Sequence, residues 1–217
     1  MRRGKSVMPV LALACVLAGC GDGRAPEVSS VSIDKDGKIS HQIVGQFEQN
    51  YYEKDGLTSL AEERVAEYCL DNGADRVILG EVEEKDGRIL LHFDYASGAD
   101  YSAFNSRELF VGTLEEADEK GYNLGYVAFT STKGQPMEIS EIEDPEKKQI
   151  VIIGMKPEEE LVVNTYGKVL YVNQSAASDL KVSFAGKSGV SLAYPSSSSG
   201  EQESMLSYII FELLRTR

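Results

Sequence analysis

The sequence predicts an α+β fold in which antiparallel hairpins are covered by one main helix and followed by a mainly β C-terminal part. Three observations carry this reading. Two Lys-Asp-Gly turns are flanked by alternating apolar residues, a single helical apolar stripe lies between them, and proline-punctuated, β-rich sequence takes over near residue 135.

Val31 and Ile33 lead into Lys35-Asp36-Gly37-Lys38, and Ile39, His41 and Ile43 lead out. Apolar alternation on both sides of Asp-Gly specifies a hairpin with a tight turn. The pattern returns as a strand over 77–82, the turn Lys85-Asp86-Gly87-Arg88, and Ile89, Leu91 and Phe93. The flanks of the two turns match poorly, so these are two hairpins and not a repeat. Between them Leu57, Leu60, Ala61, Val65, Tyr68 and Cys69 follow helical spacing, with Ser59 and Glu62 as a capping box, Asp55 as the alternative cap, and Asn72-Gly73 as the stop.

A short helix over 100–105 and a strand over 108–111 come next. Thr113 then caps a helix over 114–120 that Gly121 ends. Beyond Gly134, Pro136, Pro145 and Pro157 punctuate an acidic stretch, and strands are expected over 149–154, 160–165 and 168–173. Residues 196–200 read as a solvated Ser-Gly loop, and 207–213 as a closing strand, with a short helix as the alternative. The expected organisation is an α+β part over 29–134 and a mainly β part over 135–217, either separate or sharing one core.

What precedes residue 29 sets the location. Arg2, Arg3 and Lys5 stand before an apolar run over 7–18, which is too short to span a bilayer stably and reads as a secretory signal peptide over 1–19. Leu17-Ala18-Gly19-Cys20 resembles the lipobox of bacterial lipoproteins. In that family the cysteine receives a diacylglyceryl group and becomes the first residue of the mature chain. The resemblance implies lipidation at Cys20, with 20–28 as lipidated cysteine and flexible tether, and the protein held at the extracytoplasmic face of the cell membrane. Two acyl chains anchor firmly where one holds only marginally. The tether, at about 3.5 Å per residue, keeps the folded part within roughly 25 to 30 Å of the lipid.

The chain carries a formal charge of -13, and loss of residues 1–19 with their three basic groups makes the mature part more acidic still. Nucleic acid, which demands a basic face, is excluded as a partner. So is adhesion to anionic lipid by surface charge. With Cys20 lipidated, Cys69 is left without a disulfide partner and reads as a buried, inert thiol.

No motif brings chemistry with it. Asp34-Lys35-Asp36-Gly37 matches the heart of a calcium loop, but its register puts Ile43 where the closing acid is needed. Gly186-Lys187-Ser188 lacks the first glycine of a phosphate loop, Lys181 standing in its place. Ser32-x-x-Lys35 and Ser178-x-x-Lys181 lack the companion motifs of penicillin-recognising enzymes. The two imidazoles, His41 and His92, fall on expected strands without a zinc or triad pattern. Glu81, Glu83 and Glu84, and Glu115 and Glu116, read as solvated faces. No catalytic residue, metal ligand or cofactor is assigned.

Phe47 to Tyr52, the helix ending at Tyr68, Asp100-Tyr101-Ser102-Ala103-Phe104-Asn105 with Phe110-x-Gly112-Thr113, and Gly167-Lys168-Val169-Leu170-Tyr171-Val172 are similar to a set of uncharacterised lipoproteins of Gram-positive gut bacteria. The resemblance implies anchoring and a shared fold, with no activity to carry over. The leading expectation is a non-enzymatic, lipid-anchored protein with an interaction or envelope-associated role, its partner a protein or a cell-wall polymer. The alternative is the substrate-binding component of an importer or a carbohydrate-binding module. In that case the aromatic cluster Tyr51, Tyr52, Tyr95 and Tyr101 would hold the ligand in place of the absent Trp.

The lipobox yields a direct expectation. In a bacterium fed a labelled fatty acid, the chain takes up label and partitions into detergent, and Cys20→Ala loses both; label retained by the variant would reject lipidation at this residue.

Overall fold

The computed structural model describes residues 24–47, 53–174, 179–194 and 205–213, and its strands begin where the first turn dictates. β1 (Ser29–Ile33) and β2 (Ile39–Gln46) form the first hairpin. The Gly37 N–H bonds Asp34 O at 3.2 Å, the Asp34 carboxylate accepts from the N–H groups of Asp36 and Lys38, and Gly37 takes φ 80°. After α1 (Lys54–Asn72) come β3 (Val77–Lys85) and β4 (Arg88–Tyr95), joined by Asp86 at φ 52° and Gly87 at φ 71°. Two consecutive left-handed residues make a type I′ turn. The two Asp-Gly pairs therefore build different turns. Asp34 gives the first its side-chain acceptor, whereas the longer Glu84 occupies the matching place in the second.

Helix α1 starts at Lys54, a turn ahead of the expected Ser59/Glu62 box, with Glu53 at its N-cap and no side-chain capping bond. Gly73 ends it at φ 107°, its N–H bonding Cys69 O. Ala61 is buried and Leu57, Val65, Tyr68 and Cys69 pack beside it, but Leu60 lies off this stripe and is 64% exposed. Ser97 caps α2 (Gly98–Asn105), and β5 (Leu109–Thr113) runs into α3 (Leu114–Glu119) through the Thr113/Glu116 capping box. The remaining strands are β6 (Phe129–Ser131), β7 (Pro136–Met137), β8 (Lys148–Met155), β9 (Glu160–Asn164), β10 (Gly167–Asn173), β11 (Lys181–Ala185) and β12 (Gly189–Ala193). β13 (Met205–Leu213) closes the fold as a strand and not as the alternative helix.

These strands form two sheets, one in the order β11-β12-β9-β1-β2-β4-β3 and the other β5-β8-β13-β10-β6-β7. The fold is α+β with a mainly β C-terminal part. Each sheet takes strands from both sides of residue 135, and β1 pairs in parallel with β9 across that position. The two expected parts are thus interleaved around a shared core. Val31, Tyr95 and Leu161 of the first sheet pack against Val151, Ile153 and Phe211 of the second, with α1 and α2 filling in beside β3, β4 and β5. The far face of the second sheet presents Ile150, Ile152 and Ile210 to a second cluster built on Leu114, Ala117 and Phe129.

One ion pair, its carboxylate buried and its guanidinium partly exposed, holds α1 and α2 together at the start of β3. Asp100, 4% exposed, accepts from Arg76 Nε at 2.9 Å and Nη2 at 2.6 Å, from Tyr68 Oη at 3.2 Å and from Ser97 Oγ at 2.5 Å. The bond set ties α1, the α1–β3 turn and α2 to one carboxylate, whose burial is tolerable because its lone pairs are occupied.

Forcing a β-branched side chain into a left-handed position costs on the order of 1 to 2 kcal/mol. Gly37→Val and Gly87→Val are each expected to lower the urea midpoint by a corresponding amount; midpoints equal to the parent chain's would show that the turns do not depend on positive φ.

Candidate functional site

Alternation along a strand sends residues two apart to the same face, so His92 and Asp94 of β4 share the outer face of the first sheet. The β2–β4 register sets Ser40 opposite Asp94 and Gln42 opposite His92. Three side chains meet there. Ser40 Oγ donates to Asp94 Oδ1 at 2.7 Å and lies 3.0 Å from His92 Nε2, which is 3.2 Å from Asp94 Oδ1. The hydrogen bond with Asp94 raises the His92 pKa above the ordinary imidazole value, against the opposing effect of partial burial, and the charges of Asp94 and Glu81 add to the rise. Asp94 is lowered in turn, first by its bond to His92.

A serine, a histidine and an aspartate in contact invite comparison with a nucleophilic triad. In that device the acid holds one ring nitrogen and the hydroxyl gives its proton to the other. Here both oxygens crowd the same Nε2, and the Ser40 hydroxyl donates its hydrogen bond to Asp94. The arrangement is a hydrogen-bonded cluster on an open face and not an activated nucleophile.

The polar surface continues across the sheet. Asn164 of β9 donates to Ser32 Oγ of β1 at 3.1 Å, and Ser32 lies opposite Ser40. In the adjacent row Ser191, Val162, Ser30, Gln42 and His92 follow one another over five strands. Hydroxyl and amide groups therefore cover the middle of this face with few charges.

The other histidine faces the opposite way. His41 is 5% exposed, its ring 5.3 Å from that of Tyr101 and 6.5 Å from that of Tyr95, and its Nδ1 has no partner. Burial first, then the charges of Arg107 and His92, push its pKa down to about 4. Tyr95 and Tyr101, expected at a ligand site, are 1% and 0% exposed and belong to this core. That expectation is corrected: rings packed edge-on at 5.2 Å from each other between two sheets offer no face to a ligand. Tyr51, Tyr52, Cys20 and Ser178 lie outside the described residues.

The remaining sequence candidates resolve locally. The Asp34 carboxylate is engaged by backbone N–H groups of its own turn, and Gly186, at φ 68°, turns β11 into β12. Cys69 is half-buried and donates to Val77 O at 3.4 Å. Glu81, Glu83 and Glu84 are exposed on β3 at the sheet edge, while Glu116 serves its capping box. Over the second sheet lie two shallow grooves of about 410 and 480 Å³, the first lined by Leu114, Leu124 and Ile139 with Glu115, Asp118 and Glu146, the second by Phe129 and Met137 with Glu138 and Glu141. Among the described residues no three His, Cys, Asp or Glu side chains group as a metal site.

No protein-family model, curated protein or solved structure matches this chain.

Sequence reasoning missed three polar assemblies. The His92-x-Asp94 spacing carried a legible part of the outer cluster, but placing Ser40 beside it needs the strand register. The Arg76–Asp100 pair and the bidentate Arg107–Glu159 pair join residues 24 and 52 positions apart, with no local signature.

The buried histidine has a pH signature. Its folded pKa of about 4 lies below the unfolded 6.5, so the unfolded chain binds the proton first. The contribution is fully present above pH 6.5 and is lost as pH falls toward 4, a change of about 3 kcal/mol at roughly 1.4 kcal/mol per unit. His41→Leu is expected to flatten this acid limb in urea denaturation measured at a series of pH values, and an unchanged slope would mean that another group sets it.

Proposed function

We propose that this chain is a lipid-anchored extracytoplasmic protein that binds an envelope macromolecule and catalyses no reaction. A diacylglyceryl group on Cys20 holds it to the cell membrane. The observation that carries this reading is Leu17-Ala18-Gly19-Cys20 behind a basic and then apolar N-terminus.

The binding face is the outer side of the seven-stranded sheet. Ser30, Ser32, Ser40, Gln42 and Asn164 present hydroxyl and amide groups on strands spaced by about 4.8 Å. A hydroxyl-rich wall polymer or an extended protein segment meets donors and acceptors there without having to neutralise charge. Ser40, engaged with Asp94 and His92, acts as part of that surface. The solute-binding alternative loses support because Tyr95 and Tyr101 are core residues.

In the test, the full chain is used to capture material from envelope extract. Capture of a polymer or protein is expected, little affected by salt and lost when Ser30→Arg and Gln42→Arg together crowd the face. Capture that survives both substitutions would reject this face, and capture that weakens steeply as salt rises would point instead to the acidic grooves. A rise in melting temperature on the order of 5 to 10 °C with a single sugar, amino acid or peptide at about 100 times its dissociation constant would replace the proposal with solute binding.

A further inference from the structure

The far face of the second sheet is covered by α3 and by the chain from Leu124 to Ile142, and both shallow grooves are cut into that cover. They share the turn Ile139–Glu141, Ile139 lining the first groove and Glu141 the second. Each combines an apolar floor with an acidic rim. Leu114 and Leu124, 7% and 5% exposed, floor the first, and Phe129 floors the second. Glu115 and Asp118 stand at the first rim and Glu138 and Glu141 at the second, and neither lining includes a Lys or Arg.

Acidic surface is ordinarily a solvated face, and part of this set has a local duty, since Glu141 accepts from the Glu138 N–H at 2.9 Å. The rims nevertheless keep their charge. Among the described residues Glu115, Asp118, Glu138 and Glu141 enter no ion pair. Tyr126, on the chain between the lining residues Gly125 and Ala128, is 93% exposed. A tyrosine left in water is the residue type that anchors interfaces, and its ring face attracts Lys and Arg side chains.

We propose that the two grooves together form a docking surface for an extended basic segment of a partner polypeptide. Its apolar side chains enter the grooves, and its Lys and Arg side chains pair with Glu115, Asp118, Glu138 and Glu141.

Charge complementarity chooses this occupant. An uncharged or acidic segment on the same floor would strip water from the rim carboxylates without replacing it, which costs more than the apolar contact returns. A second copy of this chain carries the same charge of -13 and approaches against repulsion. Anionic lipid is repelled in the same way. A small polycation would satisfy the rims and leave the apolar floors in water. The docking surface lies over the second sheet, away from the outer face of the first, so it adds a contact to the one proposed above and does not depend on it.

The experiment measures fluorescence anisotropy of a labelled peptide, three repeats of Lys-Leu-Arg-Ser, titrated with the full chain. Saturable binding is expected, weakening at least about tenfold between about 20 and 200 mM NaCl. Glu115→Lys with Asp118→Lys is expected to weaken it at least about tenfold, and Tyr126→Ser by a smaller factor. Glu83→Lys with Glu84→Lys on β3 changes the net charge equally and is expected to leave binding intact, as is Ser30→Arg with Gln42→Arg on the outer face. Melting is recorded for every variant, and Glu115→Gln with Asp118→Gln replaces the lysine pair if that pair fails to fold. Equal loss in the β3 variant would reduce the effect to bulk charge and overturn the site. So would equal affinity for a Lys-Ser-Arg-Ser peptide or for spermine, since the floors would then be unused. No binding at about 1 mM peptide would overturn it as well, and self-association of the chain blocked by the lysine pair would replace the partner with a second copy.

Discussion

Ile150, Val151, Ile152, Ile153 and Met155 have no exposure at all, so β8 is an apolar run that has to be covered on both of its faces. Side chains of this kind contribute roughly 1.5 to 3 kcal/mol each when buried, on the order of 10 kcal/mol together, which is comparable with the whole net stability of a domain. Val151, Ile153 and Met155 are covered by the first sheet. Ile150 and Ile152 are covered by α3, by Phe129 of β6 and by the connecting chain around Leu124 and Ile142. The acidic stretch after residue 135 is therefore no free linker: Ile142 is 5% exposed and closes the second core.

Elements specified by neighbouring residues were legible in the sequence. Both hairpins, the glycine stop at Gly73 and the Thr113 cap depend on contacts a few residues apart. The start of α1 was not legible, because its N-cap Glu53 makes no side-chain bond and the Ser59/Glu62 pattern falls inside a helix already running. The sheet assignment was hidden for another reason. Alternation in β1 and in β9 says that each strand has a buried face, but nothing in either says that Ser32 of one lies beside Asn164 of the other, 132 residues on. A boundary inferred from a change in composition thus falls in the middle of a shared core.

The two histidines show why the candidate site was harder to read than the fold. They sit on adjacent strands and both follow the alternation, yet one imidazole is sealed among Tyr95 and Tyr101 while the other meets a carboxylate in the open. Alternation gives their relative faces only once the register of β2 against β4 is known. The tyrosines misled for a related reason. Aromatic residues close in sequence suggest a binding surface, and here the same apolar area was used to fill the space between two sheets. An interior that takes up its aromatics leaves hydroxyls, amides and one histidine to give the outer face its chemistry.

Strand β1 leads the folded chain and lies in the interior of its sheet, antiparallel to β2 on one side and parallel to β9 on the other. A pull applied along that strand runs across the ladder bonds on both of its sides. Such a load has to shear two ladders at once, where an edge strand under a perpendicular pull would unzip one bond at a time. A load along β1 is therefore shared between both of its neighbours, β2 and β9.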